Sequence, residues 1–316
     1  MAFSLTGSPS SAEASPLVSS LSWFEGSNRI HVETGYWGPP NSVHQFCEPH
    51  YAVTPWIAEF YNTISSFLFT ACAIYALYQE PKLRRDPYVL AANVILASIG
   101  LGSAAFHATM RYDMQLCDEI PMVCYITCLL LGNVTVTHPP RDRKSDKIKA
   151  EKSCTTPAGR VYPHPWIPNA TASFLWVLLT ISTSVAIVAV YVALEKYEMF
   201  LLGFTIVVLL HMAVALRSPL HPNYGRQQLW CRYMSLGFIL LGKAVWEVEH
   251  RMCSSIPGVY PLHVVWHVLS CVSAYYGTLA LFIIRQPPQT VGGDSHLYLN
   301  VWGFAPHFYP PQKKLT

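Results

Sequence analysis

Seven long apolar segments constrain the fold of this chain more than any other feature of its sequence. A membrane-spanning helix needs about 20 predominantly apolar residues, and each segment has approximately that length. Backbone N–H and C=O groups inside a bilayer need partners within the protein, so such segments cross it as helices. We therefore predict an all-α membrane protein, a bundle of seven transmembrane helices. The predicted spans are residues 55–78, 87–109, 116–137, 170–194, 197–216, 229–248 and 262–285.

Little charge is left for a soluble domain. Charged residues make up 12% of the chain, about half of the roughly 25% that is usual in soluble domains. The net charge of +3 gives no reason to expect a nucleic-acid partner. We expect a disordered luminal leader (1–35), a segment before the first helix (36–54), a seven-helix catalytic domain (55–285) and a cytosolic tail (286–316).

The distribution of Lys and Arg predicts the orientation of the bundle. Most of the 21 basic residues lie in alternate loops, on the side that holds the long loop 138–169 and the tail. Cytoplasmic loops of membrane proteins carry such an excess. The N-terminus is therefore predicted on the luminal or outer side and the C-terminus in the cytosol. G-protein-coupled receptors share this topology, so it does not separate an enzyme from a receptor.

Ionisable residues at the ends of three predicted spans indicate a functional site, because such groups are costly at membrane depth. His107 ends the second span, Asp118 opens the third, and His263 and His267 open the seventh. The charge distribution places all four at the non-cytosolic side. Histidines at i and i+4 project from one face of a helix and can share a metal.

Three imidazoles and one open position are the ligand set of a catalytic zinc ion. We therefore predict zinc bound by His107, His263 and His267. Zinc lowers the pKa of a bound water to about 7 and polarises a carbonyl. Asp118 could take the proton of that water and pass it to a leaving amine, and the Ser103 hydroxyl could stabilise an oxyanion.

Several of these polar residues also have structural interpretations. Each histidine, taken alone, could be a hydrogen-bonded interior residue. Ser103, next to Gly102, could simply allow close helix packing, and Asp118 could cap the third helix. His211, alone in the fifth span, is assigned a structural role, and Lys243 is expected to form an ion pair with Glu247 one helical turn away.

Several segments match the pattern of one known family. They are GYWGP at 35–39, VTPWIAEFYN at 53–62 and MQLCDEIPM at 114–122, together with Ser103, His107, His263 and His267. Over about residues 35–285 the chain resembles the alkaline ceramidases, seven-span zinc hydrolases. The resemblance implies hydrolysis of the amide bond of ceramide, dihydroceramide or phytoceramide to a sphingoid base and a fatty acid. It also implies zinc on the three histidines, acid/base catalysis by Asp118, a stabilising role for Ser103, and an endoplasmic reticulum or Golgi membrane.

The resemblance further implies a calcium site before the first helix. Glu48 and Glu59 match its acidic residues. However, Gln45 stands where the family has Asp, Phe46 where it has Trp, and His50 where it has Asn. Calcium prefers several oxygen ligands, so either calcium binds here or Glu59 is a buried structural acid.

A disulfide between Cys47 and Cys253 is implied by the same resemblance. Both cysteines fall on the predicted luminal side, where an oxidising compartment allows such a bond. The protein partners cannot be read from the sequence.

Three classes of function remain open on the residues alone. A zinc hydrolase would act on ceramide or on another lipid. A seven-span zinc-containing receptor would respond to a ligand and engage a cytosolic partner. A scaffold would carry a structural metal without an exchangeable water.

Overall fold

The computed structural model describes residues 35–136, 167, 170–221, 224–253, 255–256, 258–286, 296–299 and 306–309. All of them belong to one unit of the chain, Val32–Thr316. The described part contains seven α-helices, numbered here in chain order. They are α1 Phe60–Gln79, α2 Pro87–Thr109, α3 Tyr112–Val134, α4 Ala170–Leu194, α5 Tyr197–Arg217, α6 Gly225–Met252 and α7 Pro261–Ile284.

Six of these helices are long and apolar enough to cross a membrane. The exception is α6, which carries Arg232, Lys243, Glu247 and Glu249 along its length. The chain is therefore a multi-pass helical membrane protein, as the sequence predicts. Its seventh crossing and the orientation of its termini stay predictions.

Helices α1 and α3 begin at positions that the apolar pattern does not predict. Helix α1 begins at Phe60 rather than 55, because the N–H groups of Ala58 and Glu59 are bonded to the carbonyls of Ala108 and His107, at 2.9 Å each. Helix α3 begins at Tyr112 rather than 116, where the Asn41 side chain accepts a hydrogen bond from the Tyr112 N–H. Both boundaries are set by hydrogen bonds between the segment before α1 and the region where α2 ends and α3 begins.

Helix α2 packs against both α1 and α3, and α7 packs against α1 and α6. Gly102 lies at a close approach of α2 to α3, since a Cβ there would collide with the carbonyl oxygen of Cys117. At the other end of the bundle, Arg285 donates to Asp86 at 2.7 Å and to the Gly132 carbonyl at 2.9 Å. This contact ties the end of α7 to the beginning of α2 and the end of α3.

The tail departs from the all-α prediction. Strands β1 His296–Leu299 and β2 Pro306–Tyr309 form an antiparallel pair, with His296 opposite Tyr309. Neither four-residue segment alternates strictly between polar and apolar residues, so the pattern does not identify these strands in the sequence. The predicted leader (1–35) lies outside the described residues except for Gly35, and so does nearly all of the basic loop 138–169.

Candidate metal centre

Three histidines meet at the end of the bundle where α2 ends and α7 begins. One possible ligand atom from each of His107, His263 and His267 lies within 4.8 Å of the others. The three residues are only 1%, 2% and 3% exposed. His263 and His267 face the same way because they are one turn apart on α7, and α2 brings His107 opposite them.

Each of the three imidazoles is oriented by a partner at Nδ1. His107 Nδ1 lies 2.7 Å from Glu59 Oε2, and His263 Nδ1 lies 3.0 Å from Glu249 Oε2. His267 Nδ1 lies 2.7 Å from the Ser65 hydroxyl. An acceptor at Nδ1 fixes the tautomer and leaves the Nε2 lone pair for a metal. Three neutral imidazoles presented in this way fit zinc with one position open.

The Ser65 hydroxyl can accept a hydrogen bond from His267 Nδ1 because it donates its own proton elsewhere. The Ser65 hydroxyl donates to the carbonyl of Asn62, at 3.1 Å. Neither Ser65 nor Glu249 was among the residues singled out in the sequence. They lie on α1 and α6, on other helices than the histidines that they contact, and no local spacing connects them.

The segment before α1 places Glu59 beside His107. Met110 ends α2 in a left-handed conformation with φ of 51°, and its carbonyl accepts from the N–H groups of Asn41 and Ser42. The Glu59 N–H bonds to the His107 carbonyl at 2.9 Å. Burial alone would raise the pKa of the Glu59 carboxyl. Hydrogen bonds with His107 and His50 outweigh burial and hold that pKa well below its usual range.

The residues expected to bind calcium have other partners. The Glu48 carboxylate accepts from the N–H groups of Tyr61 and Asn62, at 2.7 and 2.9 Å, at the beginning of α1. His50 Nε2 lies 3.3 Å from Glu59 Oε1. The Phe46 ring packs on His263 with ring centroids 4.0 Å apart, and Gln45 is exposed. An aromatic ring and an imidazole in this set do not fit the oxygen ligands that calcium prefers.

Asp118 and Ser103 line the same cavity as the histidines of α7. Both are buried, and Ser103 accepts a hydrogen bond from the Ser66 hydroxyl at 3.0 Å. Asp118 does not cap α3, because that helix begins at Tyr112, more than one turn earlier. Its carboxylate therefore does not accept hydrogen bonds from the N–H groups that begin the helix.

The cavity is elongated and apolar, with a volume of about 220 Å³. Beyond the histidines it runs between α3, α5, α6 and α7. Leu209 of α5 and Leu240 of α6 line it and are nevertheless 60% and 58% exposed. The cavity therefore opens sideways between these two helices, through their apolar surface.

A disulfide joins Cys47 to Cys253, with their Cα atoms 5.5 Å apart. It links the segment before α1 to the end of α6. The N–H of Cys47 lies 3.5 Å from Glu249 Oε1, on the carboxylate that orients His263. The expected ion pair of Lys243 and Glu247 is also present, at 3.1 Å, on the same helix.

Comparison with known proteins gives one consistent family. The family model described as Ceramidase matches residues 38–308. Alkaline ceramidase 3 of Mus musculus is 26% identical over 294 residues, covering 89% of this chain and 97% of the relative. Alkaline ceramidase YPC1 of Saccharomyces cerevisiae is 27% identical over 268 residues, 79% of each chain. The Dictyostelium discoideum relative dcd3B is 30% identical over 266 residues, 77% of this chain and 87% of its own length.

Proposed function

Because this chain belongs to the ceramidase family, we propose that it hydrolyses the amide bond of ceramide to a sphingoid base and a free fatty acid. One observation carries the proposal beyond family membership. Three buried histidines, each with an acceptor at Nδ1, converge beside an elongated apolar cavity. A metal held by these ligands could activate water for amide hydrolysis, and the cavity offers space for the hydrocarbon of a lipid.

His107, His263 and His267 would hold the metal, which we propose is zinc. When bound, zinc would supply a water of lowered pKa and polarise the amide carbonyl. The chain contributes the orientation of its three imidazoles, through Glu59, Glu249 and Ser65. Outer partners of this kind raise ligand basicity and fix the ligand geometry.

Asp118 would act as general base and then as general acid. Its carboxylate takes a proton from the attacking water and passes it to the nitrogen of the leaving sphingoid base. The Ser103 hydroxyl would donate to the oxyanion that forms at the amide carbonyl.

The proposed setting is an endoplasmic reticulum or Golgi membrane, with seven crossings and the N-terminus in the lumen. The excess of Lys and Arg in alternate loops supports this orientation. The disulfide between Cys47 and Cys253 supports it independently, since such bonds persist in oxidising compartments. The metal centre would then lie near the luminal face.

The test is a purified protein in detergent, with zinc measured per chain and fatty-acid release measured on a panel of ceramides. We expect about one zinc per chain and amide cleavage. His263→Ala should lose both zinc and activity. Asp118→Asn should keep zinc and lose about 10²- to 10⁴-fold in kcat.

His250→Ala serves as the matched control, because His250 is an exposed histidine of α6 that stacks on Trp246. It should keep both zinc and activity. Zinc without cleavage of any ceramide would favour a receptor or a hydrolase of another lipid. A protein without zinc would refute the mechanism.

A further inference from the structure

The far end of the cavity is closed by a thin wall of side chains. His211, Met212 and Ser235 line both this cavity and a second, smaller void of about 20 Å³. These three side chains therefore separate the two spaces. The void has room for about one water molecule.

The two spaces follow one another along α7. The lining of the cavity on α7 runs from His263 to Ala274, about 16 Å of helix at about 1.5 Å per residue. Gly277 and Leu281, on the next turns, line the void. A hydrocarbon chain that extends from the histidines along this cavity would therefore meet the wall at its end.

His211 has no evident structural bond to explain its place in this wall. It is 3% exposed, and its Nδ1 atom has no hydrogen-bond partner within the described part of the chain. Buried polar groups almost always have a partner, so an exception needs an explanation. A bulky ring that fills the end of an apolar cavity, with a polar edge that hydrocarbon does not favour, would provide one.

We propose that His211, together with Met212 and Ser235, is an end stop that limits the length of the hydrocarbon chain this cavity accepts. The inference rests on the proposed function, in which the amide lies at the metal centre and one chain of the substrate runs along the cavity. His211 is thereby a determinant of specificity, although the sequence alone assigns it a structural role.

The test compares His211→Ala with His211→Phe on two series of ceramides. One series varies the acyl chain and the other varies the sphingoid base, so that they identify which chain reaches the wall. His211→Ala joins the void to the cavity, and the ratio of kcat/KM for long over short chains should rise by about tenfold or more. His211→Phe keeps a bulky ring and should keep the wild-type ratio. An unchanged ratio in His211→Ala, or an equal change in both variants, would overturn the end stop.

Two further variants protect the test against loss of folding. Met212→Ala also thins the wall and should shift the preference in the same direction. Val207→Ala is the matched control, because Val207 is a buried residue of α5 that lines neither space. It should leave the preference for chain length unchanged. A shift in Val207→Ala would mean that loosening α5 alone changes this preference, which would contradict the end stop.

A binding measurement separates the end stop from the proposed function. Saturated fatty acids of increasing length are added to each variant, and the rise in Tm is recorded. The longest acid that still stabilises the protein should be longer for His211→Ala than for the wild type. If the wild type cleaves no ceramide, the proposed function fails, but this comparison still decides the end stop. An identical limit in the two proteins would refute the end stop alone.

Discussion

The Nδ1 atom of every histidine in the metal centre is paired with an oxygen atom from a different helix or segment. Glu249 is one of these acceptors, and both of its carboxylate oxygens have a partner. Its two carboxylate oxygens lie near His263 Nδ1 and the Cys47 N–H. It is 2% exposed, so both contacts are shielded from solvent. Glu249 is thus a positioning residue that acts through His263.

Truncation of Glu249 should weaken zinc binding without removing a ligand. We expect Glu249→Ala to lower zinc affinity by about 10- to 100-fold, the usual cost of losing an outer partner of a metal-bound histidine. Glu249→Gln should lose less, because its amide oxygen can still accept from His263 Nδ1. Competition with a chelator measures both affinities.

Glu247→Ala provides the control, two residues away on α6. Glu247 is 35% exposed and pairs with Lys243 and Arg251. Its removal should leave zinc affinity at the wild-type value. Equal zinc affinity in Glu249→Ala and the wild type would show that Glu249 does not orient His263.

At Gly102, helices α2 and α3 come close enough for their backbones to touch. At Gly102 a methyl group would collide with the Cys117 carbonyl and crowd the Asp118 N–H. The next residue, Ser103, faces the cavity that Asp118 also lines. The close approach of the two helices therefore brings both proposed catalytic side chains to one cavity.

A methyl group at Gly102 should push the helices apart. We expect Gly102→Ala to destabilise the protein by about 1–3 kcal/mol, as overpacking of a tight contact does, and to reduce activity as well. Thermal unfolding in detergent measures the first effect. Gly237→Ala is the control, because a Cβ at Gly237 meets nothing within 4 Å. A Tm for Gly102→Ala that matches this control would contradict the prediction.

Sequence periodicity predicts the helices well, because a bilayer leaves the backbone few alternatives. It also predicts His263 and His267 as a pair, since their spacing is local. Glu249 could not be predicted in the same way, because its contact with His263 depends on how α6 packs against α7. Calcium binding stays a prediction. The packing of Phe46 on His263 and the contact of His50 with Glu59 depend on the tertiary fold, so the sequence alone could not predict them.

One covalent bond connects the segment before α1 to the helical bundle at the metal centre. The Cys47–Cys253 disulfide spans 206 positions of the chain. It also holds the Cys47 N–H near Glu249. The folded arrangement of the whole molecule and the geometry of its metal ligands therefore depend on the same link.

Replacement of both Cys47 and Cys253 by serine should lower stability by about 2–4 kcal/mol, the usual effect of losing a disulfide. It should also weaken zinc binding, because Glu249 loses support. Thermal unfolding and chelator competition measure the two effects. Cys117→Ser, at an exposed free cysteine, is the control and should change neither. Unchanged stability and zinc affinity in the double variant would exclude this role.

The sideways opening between Leu209 and Leu240 means that the rate depends on the concentration of substrate in the bilayer. A substrate that enters through this apolar gap comes from the surrounding lipid and never passes through water. The rate should therefore follow the mole fraction of ceramide in the bilayer, so that added inert lipid slows turnover while added buffer does not. Both hydrophobic products return to the same lipid. As they accumulate there, they should compete with fresh substrate for entry through this opening.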